Sequence, residues 1–91
     1  MLYMVVEHYN PGAAAKIYQR ARDRGRQLPA GLEYVDSWVD LQYSRCFQLM
    51  RTDDAALFDE WIKAWSDLVR IEVIPVRTSA EAARAIASEA S

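Results

Sequence analysis

The chain has 91 residues, of which 52% are hydrophobic and 26% are charged, and its formal net charge is −2. This length fits one domain, and this balance excludes a disordered chain. A net negative charge also argues against nucleic-acid binding, because domains that bind nucleic acids are usually basic.

Cysteine content and the N-terminal segment indicate the compartment. Cys46 is the only cysteine, so an intrachain disulfide is excluded, as is usual in a reducing compartment. The first apolar run, residues 2–6, is interrupted by Glu7 and is too short for a signal peptide or a membrane span. We therefore expect a cytoplasmic protein that does not contact membranes.

The first half of the chain predicts three strands and one helix. Residues 2–9 are β-branched, aromatic and apolar, which is typical of a buried strand. A helix capped by Asn10 follows and ends near Gly25. Residues 32–41 and 45–51 predict two further strands, which must be antiparallel because their connection is short.

The second half predicts a helix, a strand and a helical tail. Thr52 is the predicted cap of the helix, and Trp61 and Trp65 lie on its apolar stripe, where we expect them to be core residues. Residues 69–76 read as the fourth strand. An alanine-rich helix over residues 80–90 then ends the chain.

The order of these elements is β-α-β-β-α-β, which predicts an α+β, ferredoxin-like fold. Both helices would cover one face of a four-stranded antiparallel sheet, with the first and third strands in its centre. We assign residues 1–76 to this domain and residues 77–91 to the C-terminal helical tail. The tail has little to bury beyond Ile86, so we expect it to fray or to dock on a partner.

The face of the sheet without helices is predicted to be apolar. If Phe47 and Leu49 face the helices, strand alternation points their neighbours to the other side. The open face then holds Tyr34, Trp38, Cys46, Gln48 and Met50. Monomers rarely expose such a patch, so we expect a second copy of the chain to cover it.

Five segments carry a resemblance to a known family. They are MLYMVVEHY at the start, then GRQLPAGLEYVDSWVD, CFQLMRTDD, LFDEWIKAWSDL and VIPV. The sequence resembles the short bacterial proteins classed as domain of unknown function 3303 over residues 1–76, and the tail after Val76 lies outside the resemblance. The resemblance implies the dimeric α/β-barrel superfamily, in which the sheets of a homodimer form one barrel with an internal cavity. That superfamily includes cofactor-free monooxygenases, haem-degrading enzymes, lactone isomerases and non-catalytic ligand-sensing modules.

His8 and Asp36 are the catalytic candidates. His8 is the only histidine, and its ordinary pKa of about 6.5 suits a general acid or base. Asp36 is a carboxylate inside a predicted strand, as is Glu72. The alternative for His8 is a strand-end position with backbone or water partners, and for the carboxylates it is an exposed position or an ion pair with Arg45 or Arg70.

Four residues of the predicted open face are candidates for ligand binding. Tyr34, Trp38, Gln48 and Met50 combine apolar surface with a few polar groups, as ligand pockets do. A small aromatic or quinone-like molecule would suit them. The alternative is that they pack the core of the dimer.

Other kinds of site find less support. The sequence has no glycine-rich phosphate loop and no paired histidine or cysteine spacing, so we expect no metal and no cofactor. The haem-degrading relatives use an asparagine, a tryptophan and a histidine together, but Asn10, the only asparagine, lies at a helix start. Cys46 is expected to be a buried, inert thiol. The basic residues between Lys16 and Arg26 spread around their helix, which favours a solvated face over an anion site.

The sequence thus predicts a homodimeric small-molecule-binding protein whose pocket lies on the open face and is reached near His8. The helices would leave no room for a ligand on the other face. A cofactor-independent monooxygenase or isomerase, with His8 as acid or base, is the leading hypothesis. The alternative is a non-catalytic dimerisation or ligand-sensing module.

Overall fold

A computed structural model describes residues 1–90 of the chain. The elements are β1 (Leu2–Tyr9), α1 (Ala14–Arg24), β2 (Glu33–Val39), β3 (Arg45–Arg51), α2 (Leu57–Lys63), β4 (Val69–Val76) and α3 (Ser79–Ala90). The strands form one antiparallel sheet in the order β2-β3-β1-β4. This confirms the predicted ferredoxin-like fold, with the first and third strands in the centre.

The strands lie close to their predicted positions. β1, β3 and β4 begin and end at the predicted residues, whereas β2 is shorter than the predicted 32–41. β2 ends just before Asp40. The Oδ1 of Asp40 accepts hydrogen bonds from the backbone N–H of Ser44 at 2.7 Å and of Arg45 at 3.2 Å. The hydroxyl and the backbone of Ser44 lower the pKa of Asp40 to about 2. Asp40 therefore closes the turn between β2 and β3.

The starts of α1 and α2 differ from the predictions. Asn10 does not cap α1, because its Nδ2 donates to the backbone oxygen of Asp67 at 3.0 Å and so ties the end of β1 to the loop before β4. Thr52 does not cap α2, since its Oγ1 accepts from the backbone N–H of Asp54 at 3.1 Å in a turn. The helix itself begins only at Leu57.

The tail helix α3 begins with a capping box. The Thr78 Oγ1 accepts from the backbone N–H of Glu81 at 3.1 Å, and the Glu81 carboxylate accepts from the Thr78 hydroxyl at 3.0 Å. Ile86 of this helix is 65% exposed. Within residues 1–90, no helix has the length and apolar character that crossing a membrane requires.

Both α1 and α2 lie on the face of the sheet to which the odd-numbered residues of β1 point. The Tyr3 ring lies 4.9 Å from the Phe58 ring of α2, and Val5 is fully buried beneath the helices. Tyr3 pairs with Met50, and Val5 pairs with Gln48, across β1 and β3. Directly opposite residues share a face, so Met50 and Gln48 also point towards the helices.

The predicted orientation of β3 is therefore wrong. Phe47 and Leu49 point to the open face, where Trp38 lies opposite Phe47. The residues found on the helix side, against the prediction, are Tyr34, Cys46, Gln48 and Met50. The physical reason is that β3 carries apolar side chains on both faces, and the Met50 side chain, 0% exposed, fills the core between the sheet and α2.

The open face is nevertheless strongly apolar. By the strand register it holds Leu2, Met4, Val6, Trp38, Phe47, Leu49, Ile74 and Val76. Trp38 is 53% exposed and Ile74 is 44% exposed. A second surface would find a large apolar area to bury here.

Met50→Ala should lower the free energy of unfolding by about 2–5 kcal/mol, because it empties a fully buried position. Leu41→Ala is the control, since Leu41 is 97% exposed and should change stability by at most about 0.5 kcal/mol. Urea denaturation measures both. A Met50→Ala variant as stable as the control would contradict the helix-side placement of Met50.

Candidate functional site

A cavity of about 390 Å³ lies between the sheet and the helices. Much of its wall is apolar, formed by Ile17, Ala21, Val39, Trp61, Trp65 and Val69. The prediction that the helices leave no room for a ligand on this face is wrong. Trp61 and Trp65 are core residues, as predicted, at 2% and 5% exposure, but they also line this cavity.

Three strands, one helix and one loop contribute the polar side chains of the cavity. They are Glu7 and Tyr9 of β1, Tyr18 of α1, Ser37 of β2, Cys46 and Gln48 of β3, and Arg26 from the loop after α1. Glu7 and Tyr9 face the cavity because they continue the alternation of Tyr3 and Val5 along β1. The cavity thus combines apolar walls with a few convergent polar groups, which is typical of ligand sites.

Burial is the main cause of the pKa shifts of the cavity residues on β1. Desolvation raises the pKa of Glu7, although a hydrogen bond with Cys46 and the charge of Arg26 partly oppose it. The carboxyl can therefore hold its proton at a pH where an ordinary glutamate is ionised. Desolvation and a hydrogen bond with Tyr18 raise the pKa of Tyr9, which stays a neutral phenol.

Cys46 is buried, as predicted. Desolvation and the charge of Glu7 raise the pKa of its thiol to about 12. The thiolate is the reactive form of a cysteine, so at neutral pH this residue is a weak hydrogen-bonding partner of Glu7 and a poor nucleophile.

Arg26 is held at both its main chain and its side chain. Its carbonyl oxygen accepts hydrogen bonds from the indole N–H groups of Trp61 at 3.0 Å and Trp65 at 3.1 Å. Its Nη1 donates to the Oε1 of Gln48 at 2.7 Å, and its Cζ lies 3.5 Å from the centre of the Tyr34 ring. Such anchoring fixes the position of a positive charge in the cavity wall.

The residues predicted to bind a ligand fall on different sides of the sheet. Gln48 lines the cavity, and Tyr34 lies under the guanidinium of Arg26. Met50 lies in the core behind Gln48, with its Sδ 3.5 Å from the Gln48 Nε2. Trp38 lies on the open face, away from this cavity.

The two predicted catalytic residues also lie on the open face. The Nε2 of His8 is hydrogen bonded to the Oε1 of Glu72, which lies 3.7 Å from the Arg70 Nη1. The Oδ1 of Asp36 accepts from the backbone N–H of Ser37 at 2.8 Å. The helix-side cavity does not include either residue, and their catalytic role stays a prediction.

Sequence reasoning missed Glu7, Tyr9 and Arg26. For Glu7 a signal was present, since a carboxylate inside an otherwise apolar central strand needs an explanation. Nothing local indicated Arg26, because its partners in β2, β3 and α2 are distant in sequence. In the part of the chain that the structure describes, no cluster of three or more histidine, cysteine or carboxylate side chains is placed to hold a metal ion.

Comparison with known families gives one match over almost the whole chain. The family described as Domain of unknown function (DUF3303) matches residues 1–90. The match includes α3, so the prediction that the resemblance stops at Val76 is wrong. No curated protein matches the chain.

Solved structures share the fold at low sequence identity. Protein Atu4242 from Agrobacterium tumefaciens is 12% identical with a TM-score of 0.52, over 87% of this chain and 96% of that one. A Deinococcus radiodurans protein, proposed to be an antibiotic biosynthesis monooxygenase, is 15% identical with a TM-score of 0.46, over 86% and 93%. A Chloroflexus aurantiacus protein of the same description is 14% identical with a TM-score of 0.46, over 86% and 96%. At 12% identity, the match to the Agrobacterium tumefaciens protein supports the fold alone.

Glu7→Gln should change how stability depends on pH. Because folding raises the pKa of Glu7 above its usual 4.5, the folded chain keeps a proton that the unfolded chain loses as pH rises above that value. The free energy of unfolding that this proton contributes is present in full below about pH 4.5. It is lost as pH rises through the raised pKa of Glu7, by about 1.4 kcal/mol for each unit by which folding raises that pKa.

Urea denaturation between about pH 4 and pH 8 tests this expectation. Wild type should lose stability relative to Glu7→Gln as pH rises. Glu60→Gln, an exposed change on α2, should follow wild type. Parallel curves for wild type and Glu7→Gln would show that Glu7 is not desolvated in the folded chain.

Proposed function

The chain belongs to the family described as Domain of unknown function (DUF3303), and we propose that it is a homodimeric protein that binds a small molecule between its sheet and its helices. The cavity of about 390 Å³ carries this proposal. Its volume lies in the range of about 300–1,000 Å³ that is usual for small-molecule sites, and its lining has their composition.

The proposed chemistry is proton transfer by Glu7. In its ionised form, a carboxylate whose pKa is raised by burial is a stronger base than an ordinary glutamate, so it can take a proton from an acidic C–H or O–H group of a ligand and return it later. Proton removal is the step that a cofactor-independent isomerase and a cofactor-independent monooxygenase share. In the isomerase the proton returns to another atom. In the monooxygenase molecular oxygen oxidises the ligand anion, one oxygen atom enters the ligand and the other leaves as water. The alternative is ligand sensing without turnover.

The residues predicted from the sequence then take different roles. Gln48 would contact the ligand, while Tyr34 would support the guanidinium above it and Met50 would support Gln48 from the core. His8 and Asp36 would reach a ligand only where a second copy covers the open face, and there they remain proposed catalytic groups, with Trp38 as a contact.

The proposed homodimer rests on the apolar open face. Trp38 is 53% exposed beside Phe47, and Met4, Val6 and Leu49 continue the same surface across the central strands. A monomer would leave this area in water at a cost that scales with its size. A second copy that meets it face to face would bury both surfaces.

A hydrogen-exchange experiment tests the proposed chemistry. Fragments that carry an acidic C–H group and bind the wild type by ligand-observed NMR are incubated with it in deuterium oxide. Catalysed incorporation of deuterium should appear with wild type and fall at least about a hundredfold with Glu7→Gln, while the fragments still bind the variant.

Replacing either of two alanines of α1 by phenylalanine tests whether the fragments bind in the cavity. Ala21→Phe fills the cavity and should abolish binding and exchange, whereas Ala15→Phe, exposed on the same helix, should leave both unchanged. Binding without exchange in wild type would favour the sensing module. Binding that persists in a folded Ala21→Phe variant would refute the cavity as the site.

Trp38→Asp should dissociate the homodimer, because it places a charge without a partner in the interface. Sedimentation at micromolar concentration should give wild type twice the 10.4 kDa chain mass. The variant should sediment with the mass of one chain. Leu41→Asp changes a residue of the β2–β3 turn that is 97% exposed and should stay dimeric. A monomeric wild type with full secondary structure would overturn the proposed assembly.

A further inference from the structure

The guanidinium of Arg26 forms no ion pair among the described residues, although its charge acts at longer range on the Glu7 carboxyl. Four of the other arginines form ion pairs: Arg20 with Asp67, Arg45 with Asp40, Arg51 with Glu33 and Arg70 with Glu72. Arg26 has no carboxylate within ion-pair distance in residues 1–90, and its contacts are the neutral Gln48 amide and the Tyr34 ring. It is also the arginine that lines the cavity.

The loop around Arg26 holds this charge in place at an energetic cost. Gly25 before it and Gln27 after it both have positive φ, 67° and 58°, a conformation that a glutamine adopts only with strain. The Nε2 of Gln27 is buried without a hydrogen-bond partner among the described residues. The two indole N–H groups of Trp61 and Trp65 keep the loop in this shape by binding the Arg26 carbonyl.

The guanidinium retains hydrogen-bonding capacity for a ligand. It has five N–H donors in a planar fork, and one nitrogen is used by Gln48. A planar fork of this kind matches the two oxygens of a carboxylate. Since the Tyr34 ring already supports one face of the group, little side-chain freedom is left to lose when an anion binds.

We propose that the ligand of this cavity is a monocarboxylate with an apolar ring system, whose carboxylate binds Arg26 and whose ring lies against the tryptophan wall. The inference rests on the proposed function and names its ligand class. One guanidinium balances one negative charge, which favours a monoanion. Glu7, on β1, would then act on a different position of the ligand from the one that Arg26 holds.

Matched pairs of aromatic carboxylic acids and their primary amides, such as 2-naphthoate and 2-naphthamide, test this proposal by calorimetry at neutral pH. With wild type the acid should bind at least about tenfold more tightly than the amide, as a charge-assisted hydrogen bond provides. Added salt should weaken the binding of the acid but not the binding of the amide.

Substitutions at Arg26 test directly whether this residue causes the preference for the acid. Arg26→Gln should bring the acid down to the affinity of the amide, and Arg26→Lys should keep part of the preference. Arg24→Gln removes an exposed charge of the last turn of α1, outside the cavity, and should behave as wild type. Thermal unfolding checks that each variant is folded, and if Arg26→Gln is not, Arg26→Lys and the salt dependence decide.

The possible failures are distinguishable. If acids and amides bind equally and independently of Arg26 but are lost in Ala21→Phe, the cavity stands and the carboxylate class is overturned. If no member of any pair binds wild type, both this inference and the proposed cavity function are overturned.

Discussion

The register between β1 and β3 determines what each face of the sheet can do. Tyr3 opposite Met50, and Glu7 opposite Cys46, place these four side chains under the helices. The burial of Met50 and Gln48 on the same side as Tyr3 and Val5 stabilises that register. A slip of one residue would turn every side chain of β3 to the other face. Both the cavity and the apolar open face depend on this one pairing.

The fold was predictable from the sequence because its strands are bounded by turns and rich in β-branched and aromatic residues. The orientation of β3 was not, since Cys46, Gln48 and Met50 alternate with Phe47 and Leu49, and neither set is clearly the more apolar. The glutamine suggests exposure when read alone. Its burial is possible because Arg26, from a remote loop, supplies a hydrogen bond, and no local pattern contains that information.

The starts of the helices also could not be predicted wherever the side chain of a capping residue has another hydrogen-bond partner. Asn10 and Thr52 are good capping residues, but their side chains serve a tertiary hydrogen bond and a turn instead. The capping box of Thr78 and Glu81 is the kind of feature that local sequence can predict, because both partners are close in sequence. Glu7 could have been identified, since it interrupts an apolar central strand, whereas the cavity itself is lined by residues that are distant from one another in sequence.

The three tryptophans are divided between the two faces of the sheet. Trp61 and Trp65 line the cavity and share one hydrogen-bond acceptor, while Trp38 lies on the open face. Indole fluorescence depends on hydrogen bonding and on the polarity around the ring. The protein therefore carries separate optical reporters of cavity occupancy and of subunit separation. Replacing Trp38 by phenylalanine would leave an emission spectrum that comes only from the pair of indoles bound to the Arg26 carbonyl.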